Sequence, residues 1–118
     1  MHGLDKDINL SFLAGRELIQ VAIGQYQTVF AFDRGVAISI EGRFIYASRS
    51  EQVEWRPGAS HAAAKAVALL GSIVDNFVAE EDGTLKLFFS NGDQLRVLDD
   101  SSEYESYQIT APGITIAV

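Results

Sequence analysis

The stretch Val29-Phe30-Ala31-Phe32-Asp33-Arg34-Gly35-Val36-Ala37-Ile38-Ser39-Ile40 decides how the chain is read. An apolar run meets an alternating one through Asp33-Arg34-Gly35, a hairpin turn in which Gly tolerates positive φ. The period-two pattern of Val36–Glu41 is that of a half-buried strand. The same arrangement returns 57 positions later, as Lys86-Leu87-Phe88-Phe89-Ser90-Asn91-Gly92-Asp93-Gln94-Leu95-Arg96-Val97. Upstream, Gly15 and Gly71 each precede a β-rich segment at an offset of 56. A one-residue difference is the size of a bulge or a turn change. The spacing predicts two related three-strand meanders, at about 15–41 and 71–98. Two copies are too few for a solenoid. They suit two halves of one sheet, a sandwich or a partly closed barrel.

Outward from these hairpins, Glu17–Gly24 and Ile73–Glu80 read as strands, as do Arg43–Ala47, Tyr107–Thr110 and Ile114–Val118. Ser48–Ala59 is polar, contains Pro57-Gly58 and reads as a connector. Ser60 stands where a helix N-cap belongs and Gly71 where a helix stops. Between them His61–Leu70 predicts an α-helix at about 61–70, with Ala63, Val67 and Leu70 on its apolar side. The expected fold is one α+β domain over 1–118, mainly antiparallel, with six to eight strands and that one helix.

The 118 residues fit a single domain with a real core. Nine Lys plus Arg against sixteen Asp plus Glu give a net charge of −7. Without a basic tract, that balance argues against binding nucleic acid or anionic lipid. No apolar run reaches the roughly 18 residues a membrane span needs. Without cysteine there is no disulfide, thiolate metal site or thiol catalysis. Met1–Asp7 lacks the basic flank and apolar run of a signal peptide, so the expected location is cytoplasmic. The charge is uneven. Residues 1–59 hold six basic and seven acidic residues, a net of −1, whereas 60–118 hold three and nine, a net of −6.

Catalytic patterns are missing. There is no G-x-S-x-G elbow, no G-x-G-x-x-G and no P-loop. Asp5-Lys6-Asp7-Ile8-Asn9 opens like a calcium loop, but Leu10 stands where Gly is required and Arg16 where Glu should close the site. His2 and His61 lie in unrelated contexts. No metal, cofactor or catalytic residue is expected. The candidate partner-binding residues are acidic: Glu80, Glu81 and Asp82 on a turn, then Asp99, Asp100, Glu103 and Glu105 with Tyr104 in a loop. Trp55, in a polar connector, joins them as a contact residue, against the alternative of a lid on the core.

Two segments carry a resemblance. Gly15-Arg16-Glu17-Leu18 leads to Phe32-Asp33-Arg34-Gly35. Gly83-Thr84-Leu85-Lys86-Leu87 runs through Asn91-Gly92-Asp93-Gln94-Leu95-Arg96-Val97 to Tyr104-Glu105-Ser106-Tyr107-Gln108-Ile109. Together they resemble a family of small bacterial proteins known only as a domain of unknown function. Members tend to carry an F-D-D-G type turn early, a G-x-L-x-[LIV]-x-F-x-[DN]-G-x-x-L-x-V hairpin late, and then Y-E-x-[WY]-x-[LIV]. Here Tyr107 stands where Trp is common. The resemblance implies no catalytic residues. By analogy alone, some such proteins look like immunity partners of bacterial toxins.

The leading expectation is a non-enzymatic binding or interaction protein with a basic protein partner. Open meanders leave edge strands, so a homodimer is also expected. The alternative is a small-molecule-binding β domain with a pocket between sheet and helix. An enzyme built on paired carboxylates has no motif behind it.

Overall fold

The computed structural model describes residues 8–58, 63–99 and 106–118. Alternation dominates it. In β2 (Thr28–Phe32) Thr28, Phe30 and Phe32 are buried while Val29 and Ala31 are half-exposed, and β7 (Leu85–Phe89) repeats that pattern. β3 (Ala37–Ile40) and β8 (Gln94–Val97) also share one pattern, with the second and fourth residues buried. Six further strands complete the set: β1 (Leu18–Ile23), β4 (Phe44–Ala47), β5 (Gln52–Trp55), β6 (Val74–Ala79), β9 (Tyr107–Ala111) and β10 (Ile114–Ala117).

The strands form two antiparallel five-stranded sheets, ordered β1-β2-β3-β9-β10 and β5-β4-β8-β7-β6. Each meander is thus completed by a hairpin from the other half of the chain. The registers coincide: Ile38 faces Ile109 and Ile40 faces Tyr107 in one sheet, as Leu95 faces Tyr46 and Val97 faces Phe44 in the other. Both meanders shift register at their first strand, between Leu18 and Gln20 and between Val74 and Asn76. At the point of nearest equivalence Glu17 bridges Ile73. There Gly15 donates to Val74 O at 2.8 Å and Gly71 donates to Leu18 O at 2.9 Å. Both glycines have positive φ, +82° and +85°.

One hydrophobic cluster lies between the sheets. Phe30 meets Phe44 edge-on across them, with centroids 5.3 Å apart, and Phe44 stacks on Trp55. Each such fully buried side chain contributes about 1.5–3 kcal/mol through removal of apolar surface from water.

Two expectations need correction. The described residues form ten strands, not six to eight. β5 lies inside the supposed connector Ser48–Ala59. It pairs with β4 around a turn in which Ser48 N donates to Glu51 O at 2.8 Å. Its Gln52 and Glu54 suit an edge strand facing water, which hides the apolar signal. The α-helix expected at about 61–70 is not continuous: among the described residues Ala64–Leu69 is a 3-10 helix. Its buried residues are Ala63, Ala66 and Leu69, three apart, as that helix's threefold period demands. Val67 and Leu70, expected on the apolar side, are 42% and 43% exposed. Ser60 and His61 lie outside the described residues.

Candidate functional site

The structure brings the acidic turn and the start of the acidic loop together. The turn Glu80–Asp82 joins β6 to β7 and is closed by bonds from Gly83 N to Glu80 O and from Glu80 N to Thr84 O. Asp82 Oδ1 accepts the Thr84 amide at 2.9 Å. Thr84's amide and hydroxyl favour the charged form, so the Asp82 carboxyl sits below its ordinary pKa. Gly83 (φ +92°) packs directly on Asp99; a Cβ built there lies 2.8 Å from Asp99 Cβ. Asp99 Oδ1 accepts from the Ser106 hydroxyl at 3.1 Å. Lys86 Nζ lies 3.4 Å from Glu80 Oε1. Asp100, Glu103, Tyr104 and Glu105 lie outside the described residues.

Beneath this end, the buried Tyr107 donates from its phenol to Gly83 O at 2.7 Å. Burial raises that phenol's pKa, and the charges of Asp99 and Asp82 raise it further. Trp55 does not join the acidic residues. It is fully buried against Phe44, so its ring presents no surface to a partner, and its Nε1 has no hydrogen-bond partner among the described residues. Among the described residues no group of three His, Asp or Glu side chains is placed to hold a metal ion. None of the described helices is long and apolar enough to cross a membrane.

A cleft of about 280 Å³ opens elsewhere, and sequence reasoning passes over it. The 3-10 turn Ser11–Leu13, the β2–β3 turn and the β9–β10 turn form its walls. Ser11, Phe12, Arg16, Arg34, Val36 and Pro112 contribute to its lining. Asp33, behind the lining, ties the turn to the chain before β1 and holds Arg16 beside it. It accepts the Glu17 amide at 3.0 Å, returns its own amide to Glu17 O, and lies 3.6 Å from Arg16 Nη1. The Pro112 ring rests over Gly35, whose absent side chain leaves the room: a Cβ there would lie 3.4 Å from Pro112 Cγ. Arg16 and Arg34 stand 18 positions apart, and no spacing rule unites them; only the fold does.

The registers separate the two places. Along the paired strands β3 and β9, Ile40 and Tyr107 mark the acidic end, and Ala37 with Ala111 the cleft end. The outer faces of the sheets differ as well. Ala31, Ala37, Thr110 and Thr115 form one uncharged row, and Val29, Ser39, Gln108 and Ala117 form the next. The matching face of the other sheet carries Lys86, Arg96 and Glu54.

This is a mostly antiparallel, two-sheet β domain with an acidic end and a small basic cleft. The chain belongs to a family of unknown function, DUF6188, whose model matches residues 10–118. Neither the curated proteins nor the solved structures contain a match to it.

Proposed function

We propose that this is a non-enzymatic interaction protein of the bacterial cytoplasm whose acidic end docks a basic protein surface, in the manner of an immunity partner. The observation that carries this reading is the packing of the Glu80–Asp82 turn, through Gly83, against Asp99. Carboxylates distant in sequence become one patch there, contiguous along the chain with the rest of the acidic loop. A predominantly acidic patch, in which Lys86 offsets only Glu80, steers a partner of opposite charge and selects against like-charged ones. The test compares native protein with the triple variant E80K/E81K/D82K in cross-linking pull-downs from the source cells. A basic protein recovered by the native chain, released by high salt and lost with the variant supports the reading. Recovery unchanged by the charge reversal overturns it.

A second reading, self-association, is favoured by the edge strand β10. The other three edges carry a register shift or charged side chains, as at β1, β6 and β5. β10 is Ile114-Thr115-Ile116-Ala117, with neither charge nor bulge. Unguarded edges pair with further strands. Because Val118 and Tyr107 exchange both backbone bonds, the Ala117 amide points away from β9. Ala117→Pro then removes an outward donor and spares the ladder. Sedimentation equilibrium should give a dimer for the native chain and a monomer for A117P; a native monomer excludes the pairing.

A further inference from the structure

We propose that the cleft between Arg16, Arg34 and Pro112 binds a small organic oxyanion, a carboxylate or phosphate carried on a compact apolar group. The inference rests on comparing one position in the two halves. The β2–β3 turn Asp33-Arg34-Gly35 corresponds to the β7–β8 turn Ser90-Asn91-Gly92, and both are closed by the same bond, Phe32 N to Val36 O and Phe89 N to Asp93 O. In the second turn Asn91 is absorbed locally: its Oδ1 accepts the Asp93 amide at 2.9 Å and its Nδ2 donates to Asp93 Oδ2 at 3.0 Å. Arg34 does the opposite. It is the only non-glycine with positive φ among the described residues, at φ 59° and ψ 27°. Among the described residues it makes no hydrogen bond or ion pair.

A β-turn does not need that strain, as the second turn demonstrates. Strain maintained in one copy of a motif and absent from the other marks a position kept for something besides folding. The arginine held in this conformation lines the cleft. Arg16, half-buried and fixed beside Asp33, is a second. The equivalent position in the other half is Ser72, so the pair exists once in the molecule. Two guanidinium groups offer planar forks that match carboxylate and phosphate oxygens. Asp33 offsets one of the two charges, and Arg34 leaves the cleft basic within a chain of net charge −7. Ser11 adds a hydroxyl at the wall, while Phe12, Val36, Ala111 and Pro112 add apolar surface. The volume, just below the usual range for ligand pockets, limits the apolar group to about one ring.

The test is a titration of the isotope-labelled full chain, followed by amide chemical shifts, with benzoate, phenyl phosphate and inorganic phosphate as probes. Benzoate or phenyl phosphate should shift the amides of Phe12, Arg16, Arg34 and Ala111 in a saturable way. Inorganic phosphate should bind at least about tenfold more weakly than phenyl phosphate. Arg34→Gly relieves the backbone, so it should melt no lower than the native protein yet lose about tenfold or more in affinity for the better organic probe. Arg16→Gln gives a second, independent loss. No saturable shift below about 20 mM with either organic probe overturns the proposal. Binding by Arg34→Gly within about twofold of native also overturns it. Equal affinity for phosphate and phenyl phosphate removes the apolar half of the site.

Discussion

The Tyr107 phenol reaches out of one sheet to donate a 2.7 Å hydrogen bond to the Gly83 carbonyl in the other. Tyr107 lies on β9, beside β3, while Gly83 closes the turn between β6 and β7. Tyr107→Phe keeps the ring and leaves a buried carbonyl without this donor. A loss of about 1–3 kcal/mol is expected in urea unfolding, with an unchanged m-value.

Gly83 is the more sensitive partner. A methyl group at φ +92° is strained, and it meets the Asp99 side chain as well. Gly83→Ala should therefore cost more than Tyr107→Phe, in the upper part of the 1–3 kcal/mol range typical of overpacking or beyond. Thermal melts of the two variants side by side check the order.

Trp55 tests the core. Trp55→Ala empties a fully buried indole site against Phe44 and should cost about 3–5 kcal/mol. Trp55→Phe should cost distinctly less, because it also removes the unpartnered Nε1–H. If the two variants melt alike, the indole is not packed as described.

Alkaline pH should weaken the fold through Tyr46. Its phenol donates to Asp93 Oδ2 at 2.6 Å, and its pKa is pushed up to about 12 by burial first, then by the bond to Asp93 and that carboxylate's charge. The folded state thus keeps a proton that the unfolded chain loses near pH 10. The stabilisation is complete below that pH and disappears as pH rises toward about 12. Stability plotted against pH should fall less steeply across this window in Tyr46→Phe, and absorbance at 295 nm should lose one late-titrating phenol.

Arg34→Gly should raise stability by about 1 kcal/mol, the cost of holding an L side chain in the left-handed region. Chemical denaturation measures it directly. A destabilised variant would mean that the guanidinium itself supports the turn.

Much of the β structure was visible because Phe30, Phe32, Ile38 and Ile40 alternate with small or polar residues, as do Leu85, Leu87, Leu95 and Val97. The short helical stretch was misjudged because alanine does not distinguish an α from a 3-10 period; Leu69, not Leu70, turns inward. β5 was hidden by Gln52 and Glu54, whose solvent-facing chemistry resembles that of a loop. The polar neighbours of Trp55 fit a contact residue and a lid on the core alike; its pairing opposite Phe44 buries it. The acidic turn was readable, but its contact with Asp99 depends on where β8 ends. The cleft was invisible, since the bonds between Glu17 and Asp33 bring Arg16 to the β2–β3 turn, and the opposite wall of Ala111 and Pro112 arrives only when β9 pairs beside β3.

The exchange of hairpins between the two meanders has a consequence for what such a molecule can become. Were each half a separate polypeptide, two identical copies would have to embrace to complete both sheets, and every surface would occur twice. With both halves on one strand of covalent chain, the obligation to be identical is lifted. One half can devote its turn to an arginine while the other devotes the matching turn to an asparagine, and acidity can collect on one side alone. The molecule has the architecture of a symmetric pair and the freedom of an asymmetric one.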